Sequence, residues 1–108
     1  MNGIGECKIE NWIDLEDNPS GGFVKGVGLE INWQDGPLGR GETRKEPNGA
    51  FVETIISAAI QRLKFFQESK FNCPENQDAI GSLTAALECL ELRTKNRENA
   101  GIEGTHEV

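Results

Sequence analysis

The chain is poor in the residues that most chemistry needs. It has one histidine, His106, close to its last residue. Nothing near that imidazole stands at metal-ligand spacing, so no metal site is expected. Cys7, Cys73 and Cys89 are far apart, odd in number and free of any CxxC pair. That argues against a disulfide framework and a zinc site, and suits free thiols in a reducing compartment. There is no apolar run of about 18 residues, so no transmembrane helix is expected. Residues 1–6 lack the basic-then-apolar layout of a signal peptide, which makes the cytoplasm the expected location. The GxSxG, Walker and GxGxxG patterns are all missing. Gly26 and Gly28 make only GxG, with more strand after them where a dinucleotide fold needs a helix. Carboxylates are plentiful, but none is set among apolar neighbours that would shift its pKa. No catalytic set and no cofactor is expected, and the chain does not read as an enzyme.

The 108 residues fit one domain with a modest core. The net charge of −7 disfavours DNA or RNA as a partner, since nucleic-acid binding neutralises phosphates over a wide surface. A small phosphorylated ligand is compatible with it. Seven acidic residues fall in the first 35 positions, whereas two short stretches are basic: Arg40, Arg44, Lys45 and Arg93, Lys95, Arg97. Such stretches can form a confined anion pocket, or they can be ordinary solvated surface.

The pattern along the chain predicts an α+β fold, a small antiparallel sheet over about residues 7–39 followed by an antiparallel helical hairpin. Residues 7–16 alternate, with Cys7, Ile9, Ile13 and Leu15 on one parity, which predicts a half-buried strand. Asp17-Asn18-Pro19-Ser20-Gly21-Gly22 has turn composition. Residues 23–33 read as one long strand, with Phe23, Val27, Leu29, Ile31 and Trp33 on one face and Gly26 and Gly28 on the other. A bare face of that kind admits a close approach by a ligand or backbone, and a bulge or bend explains it equally well. Residues 40–49 have no period and form a loop long enough to carry function.

A first helix is expected from an N-cap at Asn48 to about Lys70. Its stripe is Val52, Ile55, Ile56, Ala59, Leu63 and Phe66. Phe51, Ile60 and Phe65 add apolar surface beyond one packing face and suggest a second subunit. Pro74 opens a second helix, striped by Ile80, Leu83, Leu87 and Leu90 and running to about Arg97, with a tail over 98–108.

Three blocks carry a family resemblance. They are Gly26-Val27-Gly28-Leu29-Glu30-Ile31-Asn32-Trp33-Gln34-Asp35-Gly36-Pro37-Leu38-Gly39, then Asn48-Gly49-Ala50-Phe51-Val52-Glu53, and the end, Arg93-Thr94-Lys95-Asn96-Arg97-Glu98 with Gly101-Ile102-Glu103-Gly104-Thr105-His106. Together they resemble the phage Thoeris anti-defense family of the first type, over about positions 22–108. The helical hairpin is similar to that of phage anti-CBASS sponges. The first 20 residues match neither.

The resemblance implies a sponge in the host cell cytoplasm that binds a cyclic nucleotide immune signal and withholds it without breaking a bond. A glycocyclic ADP-ribose isomer is the ligand implied first, with cyclic di- or trinucleotides as further ligands and a dimer or hexamer as the assembly. It implies Phe66 as the base-stacking ring, Asn76 as a polar reader of the base and Arg93 as a phosphate-binding arginine. Arg40 or Arg44 would be a second arginine reaching in from a partner. Gly26, Gly28 and Gly36 are candidates for a cyclic dinucleotide pocket, and Arg97, Thr105 and His106 for a trinucleotide pocket. Helical rise puts Arg93 about 25 Å from Asn76 along one helix, so a small ligand touching both would need two copies. Two competing readings are a hairpin that docks on a host protein and a structural assembly component.

Overall fold

The computed structural model describes residues 6–108. Except for Glu6, the stretch read above for a signal peptide lies outside the described residues. Three antiparallel strands in the order β1-β2-β3 are followed by two helices, the α+β arrangement expected from the pattern. The chain divides into two compact units. One holds the described residues up to Phe51 together with Ile102–Val108, and the other is Val52–Gly101.

In the first unit, β1 is Cys7–Ile13, β2 is Pro19–Gly26 and β3 is Leu29–Asn32. The half-burial expected of β1 is not found. All seven of its residues are exposed, Ile9 by 62% and Ile13 by 69%. An alternating pattern marks which side chains share a face, but burial also needs a layer over that face.

The long strand expected over 23–33 is a hairpin instead. Val27-Gly28 is a two-residue turn, with Gly26 paired to Leu29 and Gly28 at φ +73. A type II turn requires a positive φ at that position. The turn inverts the parity: Val24 lies opposite Ile31, and Phe23 lies opposite Asn32. Pro19–Gly22, expected in a turn, opens β2, where proline is tolerated as a first strand residue. The actual turn is earlier. Asp14 accepts hydrogen bonds from the backbone N–H groups of Glu16 (2.8 Å) and Asn18 (3.0 Å). Those donors, that of Asn18 first, hold its carboxyl below the usual carboxylate range.

Asn48 does not cap the first helix. Its side chain instead binds both backbone groups of Asp35, accepting from the N–H at 2.8 Å and donating to the carbonyl at 3.0 Å. Its own N–H donates to Gln34 Oε1. This pins residues 48–50 beside the end of β3, where Ala50 bridges Trp33. Gly49 sits so close that a Cβ there would lie 2.5 Å from the Trp33 carbonyl.

In the second unit, α1 is Val52–Gln67 and α2 is Pro74–Asn99. The expected C-terminus of α1 near Lys70 is three residues too late, because Ser69 closes the helix. Its hydroxyl donates to the Phe66 carbonyl at 2.6 Å and accepts from the Phe71 N–H at 3.1 Å. Gln67 then ties the turn to α2, donating to the Cys73 carbonyl and accepting from its N–H, both at 3.0 Å. Ile60 and Ile80 are the buried centre of the hairpin. Ile60 therefore packs inside the hairpin and does not widen its outer surface, whereas Val52, Phe65, Phe71 and Leu92 are 50–66% exposed. Among the described residues, no helix is long and apolar enough to cross a membrane.

Candidate functional site

The hairpin has a turn end and an open end, and the candidate residues are divided between them. At the turn end, the last turn of α1 carries Phe65 and Phe66, with ring centroids 6.0 Å apart and planes tilted by 56°. Phe66 is half-buried. Arg62, one turn earlier, holds its guanidinium 5.0 Å from both ring centroids. Exposed cation–π contacts of this kind contribute about 0.5–1 kcal/mol. The sequence reading passed over Arg62, although its i,i+3 and i,i+4 spacing to the two phenylalanines signals the contact. Asn76 lies in the first turn of α2, across the connecting turn from Phe66, and is half-buried. Among the described residues no hydrogen bond engages its amide, which leaves it able to read a ligand edge. A ring, a guanidinium and an amide thus gather at one end of the hairpin.

Arg93 is at the open end. Its Nη2 lies 3.7 Å from Oε1 of Glu53, in the first turn of α1. Beside this pair is a cleft of about 430 Å³ lined by Glu53, Glu91, Thr94, Lys95 and Glu98. Three carboxylates against one ammonium make that cleft hostile to a bare anion. A phosphate at Arg93 would first have to displace Glu53, and further cations from elsewhere would favour the exchange.

The two loop arginines are in the first unit, and both face Glu103. Arg44 forms a fork on its carboxylate, with Nη1 to Oε2 at 2.6 Å and Nη2 to Oε1 at 3.0 Å. Arg40 donates from Nη1 to the Glu103 carbonyl at 3.0 Å and lies 3.9 Å from the carboxylate. The Gly39 N–H donates to the Gly104 carbonyl at 2.8 Å. Gly104 has φ +79, and a Cβ on it would collide with the Gly39 carbonyl. The end of the chain is therefore clamped onto the loop. Thr105 turns it there, with its N–H and hydroxyl both on the Ile102 carbonyl.

The remaining candidates are dispersed. Gly26 faces the start of β1, where a Cβ would meet the Glu6 carbonyl at 3.0 Å, whereas Gly28 and Gly36 have open space around them. Arg97 lies in the last turn of α2, and Thr105 and His106 follow the clamped Glu103 in the first unit. Glu53 and Glu103, the carboxylates that hold the candidate arginines, were not singled out from the sequence. They are 40 and 59 or more positions away from their partners, a separation no local pattern reveals.

No protein-family model matches the chain. Thoeris anti-defense 1 of Bacillus phage SBSphiJ7 is 47% identical to it over 77 residues, which is 71% of this chain. The chain spans about half the length of that curated relative, 51% of it being matched. Across that shared region, the likeness supports the Thoeris anti-defense family for this chain.

Proposed function

We propose that this protein is a phage anti-defense sponge that binds a Thoeris immune signal, a glycocyclic ADP-ribose isomer, and sequesters it intact. The observation that carries this reading is the 47% identity with Thoeris anti-defense 1. The arrangement of the second unit is consistent with it. Phe66 would stack the adenine, a contact worth roughly 1–3 kcal/mol on the scale of bases on aromatic rings. Asn76 would read the base edge, and Arg62 would add positive charge beside the ring. Arg93, paired with Glu53, would exchange that carboxylate for a phosphate. Because Arg93 and Asn76 stand at opposite ends of α2, one ligand would touch both only between two copies. The site would then be complete only in a homo-oligomer, a dimer or hexamer, and the loop cation would come from Arg40 or Arg44. Cyclic di- and trinucleotides of CBASS are further candidate ligands, at Gly26, Gly28 and Gly36 and at Arg97, Thr105 and His106. No step in this reading breaks a bond, so the protein acts by binding and not as an enzyme.

The exposed Phe65 and Phe71 favour a second reading, in which the hairpin docks into a groove of a host protein. Mass in solution separates the two, since a stable oligomer covers apolar area that a docking monomer leaves open.

The test of the sponge is a thermal-shift screen against cyclic ADP-ribose isomers, cyclic dinucleotides and cyclic trinucleotides. At a hundred times the Kd, a ligand stabilises the fold by about 2.7 kcal/mol. Denaturing the complex should release unaltered ligand, and recovery of a cleaved product would make the protein an enzyme. Arg93→Ala should weaken binding by about 1.5–3 kcal/mol, the scale of a hydrogen bond to a charged group. Undiminished affinity in that variant rules Arg93 out of the site.

A further inference from the structure

We propose that β1 is a self-pairing edge, on which two copies of this chain join antiparallel along residues 7–11 about a twofold axis at Ile9. The result would be one six-stranded sheet in place of two three-stranded ones. The inference concerns the first unit and needs no ligand, so it stands or falls separately from the sponge.

The first observation is the openness of the strand. β1 is the edge of the order β1-β2-β3, and all seven of its residues are exposed. The far edge of the sheet, at the end of β3, already receives Ala50. An edge strand presents unpaired N–H and C=O groups. Proteins guard such edges with charged side chains (lysine above all), proline or bulges, so the Lys8 charge must be matched for β1 to pair. β1 has no proline. Its register with β2 shifts between Asn11 and Ile13, so regular pairing ends at Asn11. The regular segment is therefore 7–11, whose midpoint is Ile9.

The second observation is charge. Lys8 lies directly opposite Lys25, and Lys25 is paired with Glu30 at 3.7 Å. Among the described residues Lys8 has no ion pair, and a like charge across the strand destabilises it. Glu10 is on the same face of β1, where it accepts a 2.7 Å hydrogen bond from Trp12 Nε1. A twofold axis at Ile9 puts Lys8 of each copy opposite Glu10 of the other. The lateral row then reads Glu30, Lys25, Lys8 and the second copy's glutamate, so each lysine gains an opposite charge. On the other face, Ile9 lies opposite Val24, which lies opposite the buried Ile31. Pairing Ile9 with itself continues that β-branched row through the axis and covers a side chain now 62% exposed. No other register of residues 7–11 matches both the charges and the apolar row.

Directly opposed residues of an antiparallel pair have Cα atoms about 4.5–5.5 Å apart, inside the range a disulfide spans. The experiment uses the full chain with Cys7, Cys73 and Cys89 each replaced by serine. Ile9→Cys in that background should cross-link to a covalent dimer on mild oxidation, at least tenfold faster than Leu15→Cys, which is exposed but beyond the register shift. Adding Lys8→Glu should slow the cross-link about tenfold by setting two carboxylates against each other across the axis. Adding Glu10→Lys to that variant should restore the rate, because the exchanged charges match again. Equal rates at positions 9 and 15, or a charge exchange that restores nothing, overturns the proposal.

Discussion

Replacing Glu53 with glutamine tests whether the candidate phosphate site is held by an internal anion. Arg93 Nη2 and Glu53 Oε1 are 3.7 Å apart, with the side chains 60% and 31% exposed. In bulk-water dielectric, two unit charges at that distance attract by about 1.1 kcal/mol. Exposed pairs deliver about 0.2–1 kcal/mol after side-chain ordering and screening. A phosphate arriving at Arg93 must give up that attraction, so Glu53→Gln should tighten ligand binding by up to about fivefold. Stability should move the other way. Glu53 is in the first turn of α1, where a negative charge is favoured by about 0.3–1 kcal/mol. Calorimetric titration with a cyclic ADP-ribose isomer measures the first effect, and a thermal melt of the free protein measures the second. The reasoning fails if Glu53→Gln weakens binding, because Glu53 would then be orienting Arg93 for the ligand and not competing with it. Arg93→Ala is the control that ties either result to the same site.

Arg62→Ala should weaken ligand binding two- to fivefold by removing a cation–π contact of about 0.5–1 kcal/mol that steadies Phe66, and unchanged affinity would sever Arg62 from the site. Gly49→Ala should destabilise the first unit by about 1–3 kcal/mol, because the new methyl meets the Trp33 carbonyl, and an unshifted urea midpoint contradicts that packing. The carboxyl of Asp14 has its pKa lowered by the N–H groups of Asn18 and Glu16. Its contribution is therefore present above the ordinary carboxylate pKa and is lost as pH falls through the lowered one. Urea midpoints of the parent should drop over that acid range more than those of Asp14→Asn, and parallel profiles would refute the assignment.

The helical hairpin was legible because its signals are local. A 3.6-residue stripe, Pro74 at the start of α2 and a short link between them need no tertiary knowledge. The β-hairpin was not, because a two-residue turn reverses which parity faces which. Phe23 and Ile31, read as one face, lie on opposite faces once Val24 pairs with Ile31. Asn48 has the chemistry of a helix cap, but its amide satisfies Asp35, thirteen positions earlier. Phe66, Asn76 and Arg93 could be assigned to ends of helices from position alone. Their neighbours could not all be found that way: Arg62 was within local reach and was missed, whereas Glu53 and Glu103 become partners only through the fold.

Those two glutamates bear on how an acidic protein could hold an anionic ligand. Arg93 meets Glu53, and Arg44 and Arg40 converge on Glu103. Each candidate phosphate-binding arginine already has a carboxylate in contact, so binding would exchange one anion for another. Exchange brings little net Coulomb gain for an arbitrary phosphate, and DNA or RNA is further opposed by the net charge of −7. Discrimination would then rest on groups that no carboxylate imitates, a ring that stacks a base and an amide that reads its edge. The two clamps are unequal. Glu103 is gripped by a fork at 2.6 and 3.0 Å with its side chain only 19% exposed, whereas Glu53 is held by one 3.7 Å contact. An incoming phosphate would displace the weaker carboxylate more readily, so of the candidate arginines Arg93 would be the first to yield. The Arg44 fork instead keeps the end of the chain on its loop.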